Sequence, residues 1–341
     1  MVTNDKWLNP LIVFLFSFAI LFGPAFALFD SFNYDFIASP DLGNYLGLAN
    51  LDFDQSPVRK YRVIVPFLAA GVNFIFGPIF TALSPDTFPG PDFSMCMSFF
   101  LVNTTLMSIF GVLVYRLCRE FGASHMAALI GLLSVLTCRW TFYLAGLPYV
   151  DSLYLVIIGM TLLGIKTKNS TLIIASIMVG PWAKESFLFI APLIFFFSHI
   201  SKLKQIVLFI ISAAVVFAFR YFVDAVSGTP FNESLHTDIN HLSNIADSLR
   251  RLFSFHGVYE VISIFGLWGL LFFFLLRKNV RDTVSGKTPV YFLIYIVIVL
   301  VHALLSTDLA RMFYLATPVL AVWFALIWDE ISFFTQKQLQ E

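Results

Sequence analysis

The segment VIVPFLAAGVNFIFGPIFTAL, residues 63–83, decides how the whole chain is threaded. It is apolar and long enough to cross a bilayer core of about 30 Å. Yet it carries Pro66, Gly71, Asn73, Gly77 and Pro78, poor company for a straight spanning helix. If it crosses, every later segment changes side. If it stays at one face, the chain keeps the side it reached after its first apolar run. The distribution of Lys and Arg chooses between the two. With both termini and the connections at 116–120, 166–168, 202–204 and 277–287 on the cytoplasmic side, that side holds 12 of the 21 basic residues but six of the 21 acids. The chain must then be outside at Asp30 and still outside before residue 93. Residues 63–83 are therefore expected to form a juxtamembrane or re-entrant helix on the outer face.

The rest of the chain is read from the same balance. Of its 341 residues 59% are hydrophobic and 12% charged, against about 25% charged in soluble domains. Apolar runs fall at about 8–28, 63–83, 93–115, 125–145, 149–165, 171–183, 186–199, 205–226, 258–276, 289–305 and 312–333. In lipid such runs must satisfy their own backbone, so they are helices; the alternation of a membrane barrel is missing. The expectation is an all-α polytopic membrane protein with about ten transmembrane helices plus the outer-face helix. It forms a single transmembrane domain over 1–341, with outer loops at 30–92 and 227–257 and no soluble domain. Residues 8–28 are read as a retained first helix rather than a signal peptide. The formal net charge is zero, which gives nucleic acid no claim as a partner. Cys96, Cys118 and Cys138 lie in or beside apolar runs and are read as buried thiols.

The polar residues point to one place. The first outer loop carries Asp30, Asp35, Asp41, Asp52 and Asp54 and ends in Arg59-Lys60-Tyr61-Arg62; lipid-facing chain cannot hold five acids, so this loop roofs a wet cavity with Asp41 at its centre. A charge inside a span costs about 2.5–3.5 kcal/mol, and here most sit where runs end. Asp151 opens a run. Lys184-Glu185 interrupts 171–198, whose halves are each about 20 Å long; it is read as the tip of a short hairpin, the alternative being one long tilted helix with a buried ion pair, which would put the basic loops on opposite sides. Asp308 and Arg311 occupy an outer turn, and Arg139 and the Arg220/Asp224 pair lie near outer ends. Local roles stand beside these: Asp41 as a helix N-cap, Asp151 as a first-turn acid, Arg220 and Asp224 as an i,i+4 pair, Arg139 snorkelling to the interface. His236-x-Asp238-x-x-His241 matches no established zinc spacing and is read as a polar loop. Of the Asn-x-Ser/Thr triplets at Asn103, Asn169 and Asn232, the last alone is expected outside.

Taken in order, four motifs resemble a family. Asp41-x-x-x-Tyr45 follows the first helix. Tyr61-Arg62-Val63-Ile64-Val65-Pro66-Phe67-Leu68-Ala69 comes next, then Pro148-Tyr149-Val150-Asp151-Ser152-Leu153, then Trp182-Ala183-Lys184-Glu185-Ser186-Phe187. Over roughly residues 1–200 this order resembles the GT-C superfamily of membrane glycosyltransferases. That group includes protein O-mannosyltransferases, lipid A aminoarabinose transferases and polyprenol-phosphate-mannose-dependent mannosyltransferases. The resemblance implies transfer of a sugar, such as mannose or another hexose, from a polyprenyl-phosphate donor to a lipid, glycan or protein acceptor. The reaction would lie on the outer or lumenal face of a bacterial inner membrane or an endoplasmic reticulum membrane, with inversion at C1. It implies Asp41 as the first-loop catalytic acid and Asp151 as a second acid at the cavity. The family often pairs acids in this loop; here Pro40 precedes Asp41, so a divalent metal stays open without the support of paired acids, and no other cofactor is implied.

Elementary chemistry runs parallel. A carboxylate must take the acceptor hydroxyl's proton as C1 is attacked, a task open to Asp41. Cations must meet the charge growing on the leaving phosphate; Arg59, Arg62, Lys184 and Arg311 are candidates, Arg being suited to two-point contact. Tyr45, Tyr61, Glu185 and Asp308 would support them. Three other functions compete. A transporter or flippase would show repeats and midplane charges. Another polyprenyl-substrate transferase would not demand the Asp41 loop. A non-catalytic assembly subunit would carry the same acids without activity.

Overall fold

The computed structural model describes residues 8–31, 40–84, 93–228, 244–306 and 308–340, with the backbone alone at 40 and 333–340. The described residues are mostly helical, with turns and irregular chain over 50–63 and no strand. The first nine helices are α1 Pro10–Ser31, α2 Pro40–Ala49, α3 Ile64–Ala82, α4 Phe93–Glu120, α5 His125–Leu136, α6 Arg139–Gly146, α7 Asp151–Thr167, α8 Ser170–Ala183 and α9 Ala191–Phe197. After them come α10 Lys202–Ser227, α11 Asn244–Leu252, α12 Phe255–Phe265, α13 Lys278–Lys287, α14 Val290–Leu305, α15 Leu309–Phe313 and α16 Thr317–Gln340. Short 3-10 stretches at Glu185–Phe189, Gly266–Leu276 and Tyr314–Ala316 join neighbours.

Six segments are long and apolar enough to cross a membrane, and up to eight if each of two bent pairs counts as one crossing. This suits a multi-pass membrane protein. Burial sorts the six: α4 is 72% and Leu309–Ser332 89% buried, whereas α10 is 11% and Phe255–Leu276 6% buried. The first two form the core and the last two present apolar surface outward, where lipid replaces protein as the solvent.

Three details revise the reading of the runs. Residues 125–145 are not one helix: α5 and α6 meet at 66°. Thr141 and Cys138 both bond back to the end of α5, at Val135 O and Ser134 O, which holds the bend without proline or glycine. Residues 258–276 change from α to 3-10 at Gly266, whose φ of 51° favours a residue without Cβ. Residues 63–83 do form one continuous helix, α3, with Pro66 in its first turn and Pro78 near its end, positions where proline disturbs least.

The hairpin is present as a geometric fact. Ser170 Oγ and His199 Nε2 lie 2.8 Å apart, so α8 and the returning Glu185–Phe197 segment share one end, and Lys184-Glu185 forms the tip at the other. The Ser170 end also holds Lys166, whose Nζ lies 4.1 Å from the Phe121 ring centroid. The tip end holds the charged cluster described next. In the core, Asn103 is fully buried on α4, where its Nδ2 donates to Leu147 O at 2.7 Å and Tyr149 O at 2.9 Å. It thereby closes the end of α6 and fixes the segment that leads into Asp151. Asn169 is the N-cap of α8, accepting from Thr171 and Leu172. Asn232 lies outside the described residues.

Candidate active site

Asp151 is the floor of the cluster. It begins α7 and is 1% exposed, so its charge needs partners. Lys184 Nζ donates to Asp151 Oδ1 at 2.7 Å, and Arg311 Nε donates to Oδ2 at 3.1 Å, with Nη2 on the same oxygen. Arg311 then reaches upward: its Nη1 donates to Asp41 Oδ2 at 3.1 Å. One guanidinium thus joins the two acids of the sequence reading, occupying the place between them. Arg59 holds the other oxygen of Asp41. Arg311 also lies over the Tyr149 ring, 4.6 Å from its centroid, and burial pushes the Tyr149 hydroxyl up to about 12.

Asp41 sits in the first turn of α2 rather than at its N-cap, because the helix begins at Pro40, a residue pre-set for the first helical position. With Asp41 26% and Arg59 27% exposed at the side chain, this pair is the open edge of a cluster whose floor is closed. Asp308 is the N-cap of α15, its Oδ1 accepting from Arg311 N at 3.2 Å. Burial raises the Asp308 carboxyl above its ordinary value, with Arg311 opposing.

A second acid, Glu185, lies beside the first pair. Arg62 Nε donates to Glu185 Oε2 at 2.9 Å, Arg62 Nη1 to Tyr45 Oη at 3.0 Å, and Arg220 reaches Glu185 Oε1 at 3.4 Å. Arg62 and Arg220 together surround the Glu185 carboxylate with positive charge. Burial lowers the Lys184 ammonium, with Asp151 opposing.

The third acid corrects the sequence reading. Asp224 is not the partner of Arg220. Its Oδ1 accepts from Lys60 Nζ at 2.6 Å and from Tyr61 Oη at 2.7 Å, while Arg220 stacks on Tyr61, 4.5 Å from the ring centroid. The local i,i+4 pairing loses to a contact 163 residues away in sequence. Four consecutive residues therefore fan out to three acids: Arg59 to Asp41, Lys60 and Tyr61 to Asp224, Arg62 to Glu185. Lys60, 1% exposed, was missed as an individual; its place inside a run of bases beside apolar chain was the available signal. His302 was missed too. It is 8% exposed, with its ring 5.7 Å from Phe189 and 6.5 Å from Tyr154, and nothing in the sequence marked it off from an ordinary core histidine.

All ten site residues named from the sequence are thus in one connected cluster. Arg139 is not: it lies exposed at the start of α6 beside Tyr143. Among the described residues no three His, Cys, Asp or Glu side chains gather where one metal ion could bind; His236, Asp238 and His241 lie outside them. The three cysteines are buried and unpaired with one another. No family profile, curated protein or solved structure matches this chain.

Among the described residues the cluster holds six cations, Arg59, Lys60, Arg62, Lys184, Arg220 and Arg311, against five acids, Asp41, Asp151, Glu185, Asp224 and Asp308. One positive charge in excess, with the arginine-rich side open, suits an anion arriving at the Asp41–Arg59 edge. Asp308 gives a direct test. Its raised value means that the folded state holds the proton more tightly. The stabilisation this gives is complete below the unfolded carboxyl value of about 3.9 and is lost as pH rises through the folded value. Asp308→Asn keeps the acceptor for Arg311 N–H and removes the disfavoured charge. Its melting temperature at pH 7.5 (a test condition of about neutral pH) should equal or exceed that of the parent, with the gain fading towards pH 4 (about the unfolded carboxyl value). Asp308→Ala, which loses the cap, should cost about 1 kcal/mol.

Proposed function

We propose that this chain is a GT-C-type membrane glycosyltransferase that moves a sugar from a polyprenyl-phosphate donor to an acceptor hydroxyl. The observation that carries the reading is Arg311, one guanidinium bridging Asp41 and Asp151 across 270 and 160 residues of sequence. The donor phosphate takes the open side of Arg311 and Arg59, where a two-point contact replaces the one they make with Asp41. Asp41, released from them, accepts the proton of the acceptor hydroxyl. The acceptor oxygen bonds to C1 as the C1–O bond to phosphate breaks. The phosphate leaves with the electron pair, stabilised by the cations already around it, and the configuration at C1 inverts. Asp151, held by Lys184 and Arg311, keeps Arg311 oriented.

In this reading the bundle crosses ten times. The shorter α7, α8 and Glu185–Phe197 segments cross with the longer helices, the two bent pairs count as one crossing each, and α3 stays at the outer face. The charged cluster then opens to the outer or lumenal side and the lysine-rich end lies in the cytoplasm. The polyprenyl chain lies between helices in lipid while its head enters the cluster.

The pairing of Asp41, Asp151, Glu185 and Asp224 with cations favours one competitor, a non-catalytic subunit in which the same ion pairs serve only as a lock. Purified protein offered radiolabelled polyprenyl-phosphate sugars separates the two. Wild type should transfer label, and Asp41→Asn should lower the rate by about 10²-fold or more with the donor still bound. Transfer at the wild-type rate by Asp41→Asn removes Asp41 as the base; no transfer from any donor by wild type leaves the lock.

A further inference from the structure

The end of the bundle opposite Arg311 holds a recess of about 360 Å³. It lies where the end of α4, the end of α7, α9 and the junction of α13 with α14 meet. Phe121, Ile165, Phe197 and Tyr291 line it together with Lys166 and Lys287. Neither lysine has an ion-pair partner among the described residues. Lys166 rests on the Phe121 ring instead, and Lys287 Nζ comes so near Gly122 that a Cβ there would lie 3.8 Å from it. Pro289 gives the first turn of α14 no side-chain cap. A recess with aromatic walls and two unpaired ammonium groups has the chemistry of an amphiphile's seat: apolar surface for chains, positive charge for a head. Its surroundings point the same way, since Lys168 and Arg277 lie between helices at this end, Lys202 and Lys204 in the first turn of α10, and Lys278 and Arg281 in α13.

We propose that this recess binds the phosphate headgroup of an acidic phospholipid from the adjacent leaflet. A zwitterionic headgroup would bring its own cation among the lysines and loses that advantage. The site is independent of the transferase reading, because none of its residues belongs to the charged cluster.

The full-length protein in neutral detergent tests it. Phosphatidylglycerol should raise the melting temperature saturably and remain as a single adduct in native mass spectra, while phosphatidylcholine and inorganic phosphate should do neither. Lys166→Gln with Lys287→Gln, both at exposed positions, should weaken phosphatidylglycerol binding by about 30-fold, each single change giving part of that loss. Lys202→Gln with Lys204→Gln, outside the recess, should leave binding within about threefold of wild type. Equal effects of the two lipids would overturn the proposal. So would a shift reproduced by inorganic phosphate alone, or wild-type phosphatidylglycerol affinity in the Lys166/Lys287 variant.

Discussion

Arg311→Ala should damage stability and transfer together. It removes two of the three donors to Asp151, which is 1% exposed, and one of the two on Asp41. Breaking a buried pair from one side costs about 3–5 kcal/mol, because the charge left behind stays buried. Lys184 remains on Asp151, so the lower end of that range, about 3 kcal/mol, is expected. Thermal unfolding in detergent measures it. The effect on transfer should be larger still, about 10²–10³-fold, since the same cation faces the leaving phosphate. Arg311→Lys separates the two losses. A lysine keeps the charge for Asp151 but cannot span both carboxylates in one plane. It should restore most of the stability while transfer stays low, with the deficit in kcat more than in KM. If Arg311→Lys transfers at the wild-type rate, the bridge is structural and the phosphate is held elsewhere.

What was legible beforehand follows from cost. A charge at the end of an apolar run is expensive unless something meets it, so Asp151, Lys184, Glu185 and Arg311 could be picked out one by one, and their common depth followed from the lengths of the runs. Partner choice did not follow. Arg220 and Asp224 satisfy the local i,i+4 rule on paper, yet their side chains leave in different directions, because Tyr61 inserts between them: it bonds Asp224 and carries Arg220 on its ring. Sequence spacing cannot show an inserted ring from another segment. The bend at residues 137–138 was hidden for a similar reason. It carries no proline or glycine and is held by hydrogen bonds back to α5 and by Tyr314 on Thr141 at 2.6 Å, a contact that exists only after α16 has packed. The helix over 63–83 was visible as an apolar run with prolines, but its prolines fall where a helix tolerates them, so their presence did not break it.

Lys60→Met and Asp224→Asn should each destabilise the protein by about 3 kcal/mol or more, and the two together by much less. Lys60 is 1% and Asp224 4% exposed. Asp224 also stands in the last turn of α10, where the helix dipole disfavours a negative charge, so Lys60 offsets an unfavourable position as well as a buried one. Lys60→Met leaves Asp224 with the Tyr61 hydroxyl as its remaining donor at 2.7 Å. Asp224→Asn leaves the Lys60 ammonium with Ser227 Oγ at 3.4 Å and no anion. The double change removes both charges, keeps an oxygen for Tyr61, and puts an unbranched chain of similar length where Lys60 lies. A double-mutant cycle on melting should therefore return a coupling energy of about 3 kcal/mol or more. The consequence for the bundle is local. α10 is little buried along its length, and its end near Asp224 is tied to the cluster by this pair and by Arg220 on Tyr61 and Glu185, so limited proteolysis within this last turn should speed up in the single variants and fall back towards the parent rate in the double. If the double loses as much stability as the two singles added together, the pair contributes no coupling and α10 is held by its other contacts.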